Sequence, residues 1–303
     1  MTEHELRVLI ITGQDHFHHR WRESSAHLRA VLERGDRRFD VRITEEFTGA
    51  SAATLEPYDV VILNYFGAGA PGDQEARWGT SAESALFSHV DRGKGLVMYH
   101  GSIWCGRTWQ DAHADRLWRM AAGLHQPGGS RRAPGLNHEV SLADPDHPIT
   151  NGLPRQWQQV NDDKYVNLRW HPDAQPHILA TVDDNPKDYL GGAYYAIDAE
   201  PGPALHDPAE VAKLPGVGQR HPVAWTNDFG AGRVFVLALG HIGAATVEAA
   251  HEGRLLGRPV GPTLSDAART APFLNLLRRG TEWAGTGRVT LPLIQSDQSP
   301  TAD

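Results

Sequence analysis

The sequence predicts a doubly wound α/β fold, a mostly parallel sheet with helices on both faces. Three observations carry this. Short continuous apolar runs such as Leu6–Thr12 and Tyr58–Asn64 read as strands buried on both faces, as parallel strands are. Segments with apolar residues at helical spacing alternate with those runs. Residues able to do chemistry follow the runs directly, where such sheets bind ligands.

The elements follow in order. Leu6–Thr12 is the first strand, and Gly13 stops it. Arg22–Glu33 carries Leu28, Val31 and Leu32 at helical spacing. Phe39–Thr44 alternates as a strand, and Tyr58–Asn64 is the next buried one, with Asp59 a turn residue. Ala82–Arg92 sets Leu86, Phe87 and Val90 on one helix face, and the strand Gly95–His100 follows. The region 126–222 is rich in Pro, Gly and Asp, with short strands at His138–Leu142 and Ile178–Val182. Residues 199–220 read as a loop or insertion. Pro222–Asn227 and Arg233–Leu239 form a hairpin around the glycines of 228–232. Ala271–Ala284 is the last helix, with Phe273, Leu276, Leu277 and Trp283 as its apolar stripe. A single domain over 1–293 is expected, followed by a polar, disordered tail at 294–303.

With 303 residues, 40% of them hydrophobic, the chain can build a sizeable core. Its net charge of −8 gives no basic face for nucleic acid and no attraction to anionic membranes. No stretch approaches the roughly 18 apolar residues of a membrane span. The start, MTEHELRVLI, lacks the charged and apolar regions of a signal peptide. The one cysteine, Cys105, excludes an internal disulfide and a multi-cysteine zinc site. A cytoplasmic protein is expected.

Four clusters hold the candidate chemistry. The loop Gly13–Trp21 contains His16, His18 and His19; a sharp corner presents His100-Gly101-Ser102; Asn161–Tyr165 offers two carboxylates and a phenol; and Gly240-His241 ends a strand. Singly, each also reads as a capped turn, a solvated loop or a satisfied structural histidine. Jointly, two or three histidines with an aspartate can hold a divalent metal or run acid–base chemistry. There is no H-E-x-x-H and no G-x-S-x-G. The glycines at 13 and 67–69 do not form G-x-G-x-x-G, so no nucleotide cofactor is expected. Cys105 reads as an ordinary, partly buried cysteine.

In these segments the chain resembles the ThuA-like family, named for trehalose utilisation. The matching residues are Thr12-Gly13-Gln14, His19-Arg20-Trp21 (similar to H-D-W) and Gly95–His100. They continue with His147-Pro148-Ile149 before Gly152-Leu153, and Asp162-Asp163-Lys164-Tyr165 (close to D-E-L-Y). Pro222–Trp225, Gly230–Phe235, Leu239-Gly240-His241 and the helix Leu277–Trp283 complete the series. The resemblance implies a flavodoxin-like core related to class I glutamine amidotransferases. It also implies an association with disaccharide and 3-keto-sugar metabolism. In true amidotransferases a cysteine occupies the corner that is His100-Gly101-Ser102 here, so the fold is expected without glutaminase chemistry. Lys164 and Asp163 depart from D-E-L-Y, and the insertions at 199–220 and 243–269 depart from the compact pattern.

The leading expectation is an enzyme acting on a small-molecule sugar or 3-keto-sugar by hydrolysis, elimination or isomerisation. His100, Asp163 and His241 are its candidate catalytic residues. His19, His100 and His241 are candidate ligands for Zn²⁺ or a similar divalent ion. Gln14, Trp21, Ser102, Trp104 and Tyr165 are candidate substrate contacts, with Trp21, Trp104 and Tyr165 as a stacking wall. A homo-oligomer is compatible with the sequence. The competing readings are a non-catalytic sugar-binding or regulatory protein and a hydrolase using Ser102 or Cys105.

Overall fold

Nine strands form the central sheet. They are β1 (Leu6–Ile11), β2 (Phe39–Thr44), β3 (Val60–Leu63), β4 (Gly95–Tyr99), β5 (His138–Leu142), β6 (Gln156–Gln159), β7 (His177–Asp183), β8 (Arg220–Phe229) and β9 (Gly232–Leu237). The computed structural model describes residues 5–14, 19–35, 38–67, 77–106, 109–135, 137–197, 200–251, 254–264 and 266–294. Residues 243–251 and 254–264 are described through their backbone course. His16, His18 and the tail from 295 onward lie outside the described residues.

The strand order is β2-β1-β3-β4-β9-β8-β7-β5-β6. The first five are mutually parallel in the flavodoxin-like order 2-1-3-4-5. All residues of β3 and β4 are buried, as expected for strands covered on both faces. Helix α1 (Trp21–Leu32) buries Trp21, Ser24, Ser25, Leu28, Val31 and Leu32, one stripe at helical spacing. Helix α2 (Thr80–Asp91) packs Leu86, Phe87 and Val90 inward. The last helix, here α4 (Ala271–Thr286), starts at Thr270, whose hydroxyl accepts from Phe273 N–H, and ends at Gly287 with φ +72°.

The antiparallel strands β8, β7, β5 and β6 extend the parallel half within the same sheet. The structure departs from the sequence reading in two places. An additional helix, α3 (Ala112–Ala121), is capped by Asp111, which accepts from the backbone N–H of His113 and Ala114. Its short apolar stripe (Leu117, Met120 and Ala121 buried) explains why periodicity did not disclose it. Residues 199–220 hold a strand at Glu200–Pro201 and a helical turn at Pro208–Val211. There Leu205 and Val211 join Tyr189 and Tyr195 in a small second core. The other insertion contains a hairpin of Gly243–His251 and Arg254–Leu264, paired antiparallel.

Ile294 is buried, and its backbone exchanges hydrogen bonds with Asn275. Among the described residues, no helix is long and apolar enough to cross a membrane.

Candidate functional site

The loops after β1, β3, β4 and β9 meet beyond the carboxyl ends of the strands. At the end of β4 the chain turns sharply, and His100 takes φ +44°, a left-handed conformation that costs a non-glycine residue free energy. A short 3₁₀ helix, His100–Trp104, follows. The turn is pinned from behind: Ser102 Oγ donates to Leu63 O at 2.6 Å and accepts from Tyr65 N–H at 3.2 Å. Gly101 lets the neighbours close in, since a Cβ there would lie 2.7 Å from Phe66 and 3.3 Å from His19.

The corner is His100's. Its Nδ1 lies 2.9 Å from Ala238 O, so Nδ1 carries the proton and Nε2 keeps its lone pair. That Nε2 lies 3.1 Å from His241 Nδ1 and 3.8 Å from Asp163 Oδ2. His241 Nδ1 lies 3.2 Å from the same carboxylate oxygen. Both groups facing His241 Nδ1 are acceptors, which assigns the proton to that nitrogen and leaves Nε2 basic. His19 stacks on Phe66 at 4.3 Å, with its ring 5.2 Å from His100 and 5.3 Å from His241. One nitrogen from each of His19, His100 and His241 falls within 4.8 Å of the others. Arg20 N–H donates to Ile242 O at 3.2 Å, which ties the first loop to the last.

Asp163 sits at the centre of the polar contacts. Arg132 Nε donates to its Oδ1 at 2.6 Å, and Tyr165 OH donates to its Oδ2 at 3.1 Å. Arg132 and Tyr165 are cross-strand partners in a small antiparallel sheet, so they share one face and reach the same carboxylate. Lys164, one residue away, points to the opposite face, where its Nζ lies 3.1 Å from Asp188. The departure from the family pattern at Lys164 therefore lies outside the site.

Burial dominates the electrostatics. It pushes His100 below the usual histidine value, helped by His241 and opposed by Asp162 and Asp163. It lowers His241 as well, against the pull of Asp163. It lifts the Tyr165 phenol well above its ordinary range, with the Asp163 charge adding to the effect. At neutral pH the His100 and His241 imidazoles are therefore neutral, and the Tyr165 phenol donates to Asp163.

Of the residues singled out by sequence, His19, His100, His241, Asp163 and Tyr165 come together. Gln14, Trp21 and Ser102 line the adjoining narrow pocket with Asn64, Tyr65 and Phe66. Ser102 is fully buried and its hydroxyl is engaged by backbone, which leaves it a structural pin. Trp104 also needs correction. It is 2% exposed, with the Phe66 and His125 rings stacked against it, and so supports the site from behind and forms no open stacking wall. Cys105 is buried, with Sγ 2.8 Å from Tyr65 O. The sequence reading missed Arg132, which lies in a Gly- and Pro-rich stretch without periodicity, and Phe66, whose platform role depends on the fold.

A family model described as "ThuA: Trehalose utilisation" matches residues 7–257. No curated protein matches the chain. A ThuA-like protein from Parabacteroides merdae has a similar crystal structure, with TM-score 0.67 and 23% identity over 98% of this chain and 96% of that one. Another, from Bacteroides uniformis, has TM-score 0.52 and 18% identity over 78% and 82%.

Proposed function

The chain belongs to the ThuA family, and from that membership we propose that it is an enzyme of carbohydrate catabolism acting on a sugar or 3-keto-sugar derivative. The observation that supports this most is the convergence of His19, His100, His241 and Asp163, far apart in sequence, at the carboxyl ends of the strands. Fold alone says nothing about chemistry, but this constellation can move protons. Asp163 orients His241 through Nδ1 and leaves Nε2 as the base. Tyr165, a neutral phenol, holds the other side of the carboxylate. Hydrolysis, elimination and isomerisation each use such a base.

The residues also suit a divalent metal such as zinc. His100 donates its Nδ1–H to a backbone carbonyl and turns Nε2 inward, an orientation common among metal-binding histidines. His19, His100 and His241 would hold the ion, with the Asp163 carboxylate beside them orienting His241. When bound, it would polarise a sugar carbonyl or activate water. Glutaminase chemistry finds no support, because Ser102 and Cys105 direct their protons to backbone carbonyls. The same proposal sets the protein in the cytosol, where a lone thiol stays reduced.

The test is to incubate the protein with a panel of disaccharides and their 3-keto derivatives and follow products by NMR. Turnover that is lost in His241→Ala supports the proposal. Sugar binding without turnover would replace it with the non-catalytic reading.

A further inference from the structure

Asp162 lies one residue before Asp163, at the inner side of the site. Its side chain is completely buried beside the site, yet it contacts none of the three histidine rings directly through a hydrogen bond among the described residues. Instead its two oxygens collect four N–H donors. Oδ2 accepts from Gly240 N–H at 2.8 Å and from Gln159 Nε2 at 2.8 Å. Oδ1 accepts from His241 N–H at 3.0 Å and from Asp163 N–H at 2.9 Å. A carboxylate has about four acceptor positions, so the group is saturated.

The donors are not arbitrary. Two belong to the Gly240-His241 corner, and a third belongs to Asp163, the carboxylate that faces the His241 ring. Gly240 adopts φ +102°, and its carbonyl accepts from Tyr99 OH, so this peptide is held from both sides. Gln159 in turn donates to Ala267 O and accepts from Thr270 Oγ1, which anchors the arrangement to the start of α4. One buried anion thus fixes the backbones of both members of the Asp163–His241 pair. Burying a carboxylate is costly unless it is fully hydrogen-bonded, and a neutral side chain could have filled this space.

We infer that Asp162 is a positioning residue: it sets the His241 imidazole against Asp163 and His100 by holding the Gly240, His241 and Asp163 amides. This inference rests on the proposed role of the histidine site. Asn in its place offers one oxygen and turns an NH₂ group toward two N–H donors, so the corner loosens although size and shape are kept.

The test uses full-length Asp162→Asn and Asp162→Ala, with folding checked by circular dichroism. Zinc affinity is measured by chelator competition, and the His241 ring by ¹⁵N NMR of histidine-labelled protein. The expected result is at least a tenfold loss of zinc affinity, the scale found for outer-shell partners. The His241 signal is also expected to leave the pattern of a proton on Nδ1. A folded variant with zinc affinity within twofold of wild type and an unchanged His241 spectrum overturns the inference. If wild type itself binds no zinc, the metal reading fails, and the His241 spectrum alone decides the role of Asp162. If neither variant folds, hydrogen exchange on wild type decides it. Slow exchange at the Gly240 and His241 amides supports the inference, and exchange at open-loop rates overturns it.

Discussion

His100 Nε2 lies 3.1 Å from His241 Nδ1, although 141 residues separate the two. The contact exists because β4 and β9 are adjacent and parallel, so both strands deliver their next residues to the same end of the sheet. Replacing either ring should therefore disable the same function. His100→Ala and His241→Ala are each expected to reduce turnover at least a hundredfold, about 2.7 kcal/mol of barrier, while circular dichroism stays that of wild type. Activity retained in one variant and lost in the other would separate two residues that the geometry joins.

Gly101→Ala tests the packing of the corner. The added Cβ would lie 2.7 Å from Phe66, on which His19 stacks. Displacing Phe66 should move His19 and cost about 1–3 kcal/mol of stability through overpacking. Zinc affinity should fall roughly tenfold, a factor equal to about 1.4 kcal/mol. Unchanged affinity would show that His19 is not held by that platform.

Cys105 should be dispensable. Its Sγ lies 2.8 Å from a backbone carbonyl, a contact a serine hydroxyl can reproduce. Cys105→Ser is expected to keep activity within about tenfold, roughly 1.4 kcal/mol, and neither protein should release ammonia from glutamine. Steady ammonia production that is lost on changing Ser102 or Cys105 would contradict this reading of the corner.

Stability should fall on acidification because of two buried histidines that are not among the site histidines, His89 and His138. Burial, with Lys94 beside one and Lys164 beside the other, pushes His89 and His138 down to about 4. In the unfolded chain a histidine titrates near 6.5. The unfolded state therefore binds the extra protons, so stability is complete above about pH 6.5 and is lost as pH falls toward 4. Each histidine contributes on the order of 3 kcal/mol over that window. Urea unfolding at several pH values should show the loss, and His89→Leu should reduce its slope by about one proton. A free energy of unfolding that stays constant from pH 6.5 to 4.5 would contradict the assignment.

The parallel half of the sheet was legible because buried strands leave continuous apolar runs, and β1, β3 and β4 each do so. The four site residues His19, His100, Asp163 and His241 were legible as strand-end or motif residues. Their tautomers were not, since these depend on Ala238 O and on the Asp163 carboxylate arriving through space. Arg132 and Phe66 were hidden for the same reason. Trp104 was misplaced because an aromatic near a site reads alike whether it faces the ligand or the core. Here Trp104 is 2% exposed, with the His125 and Phe66 rings stacked against it.

The proposal centres on one functional site built by His19, His100 and His241, and in its metal-binding form that site would hold one divalent ion. Its most direct test is zinc titration by calorimetry, on protein first stripped by chelator, for wild type and each single alanine variant. The account predicts one zinc ion per chain in wild type and at least tenfold weaker binding, about 1.4 kcal/mol, in all three variants. No measurable zinc binding by wild type would contradict the metal-binding form, and wild-type affinity in His100→Ala would contradict a shared three-histidine site.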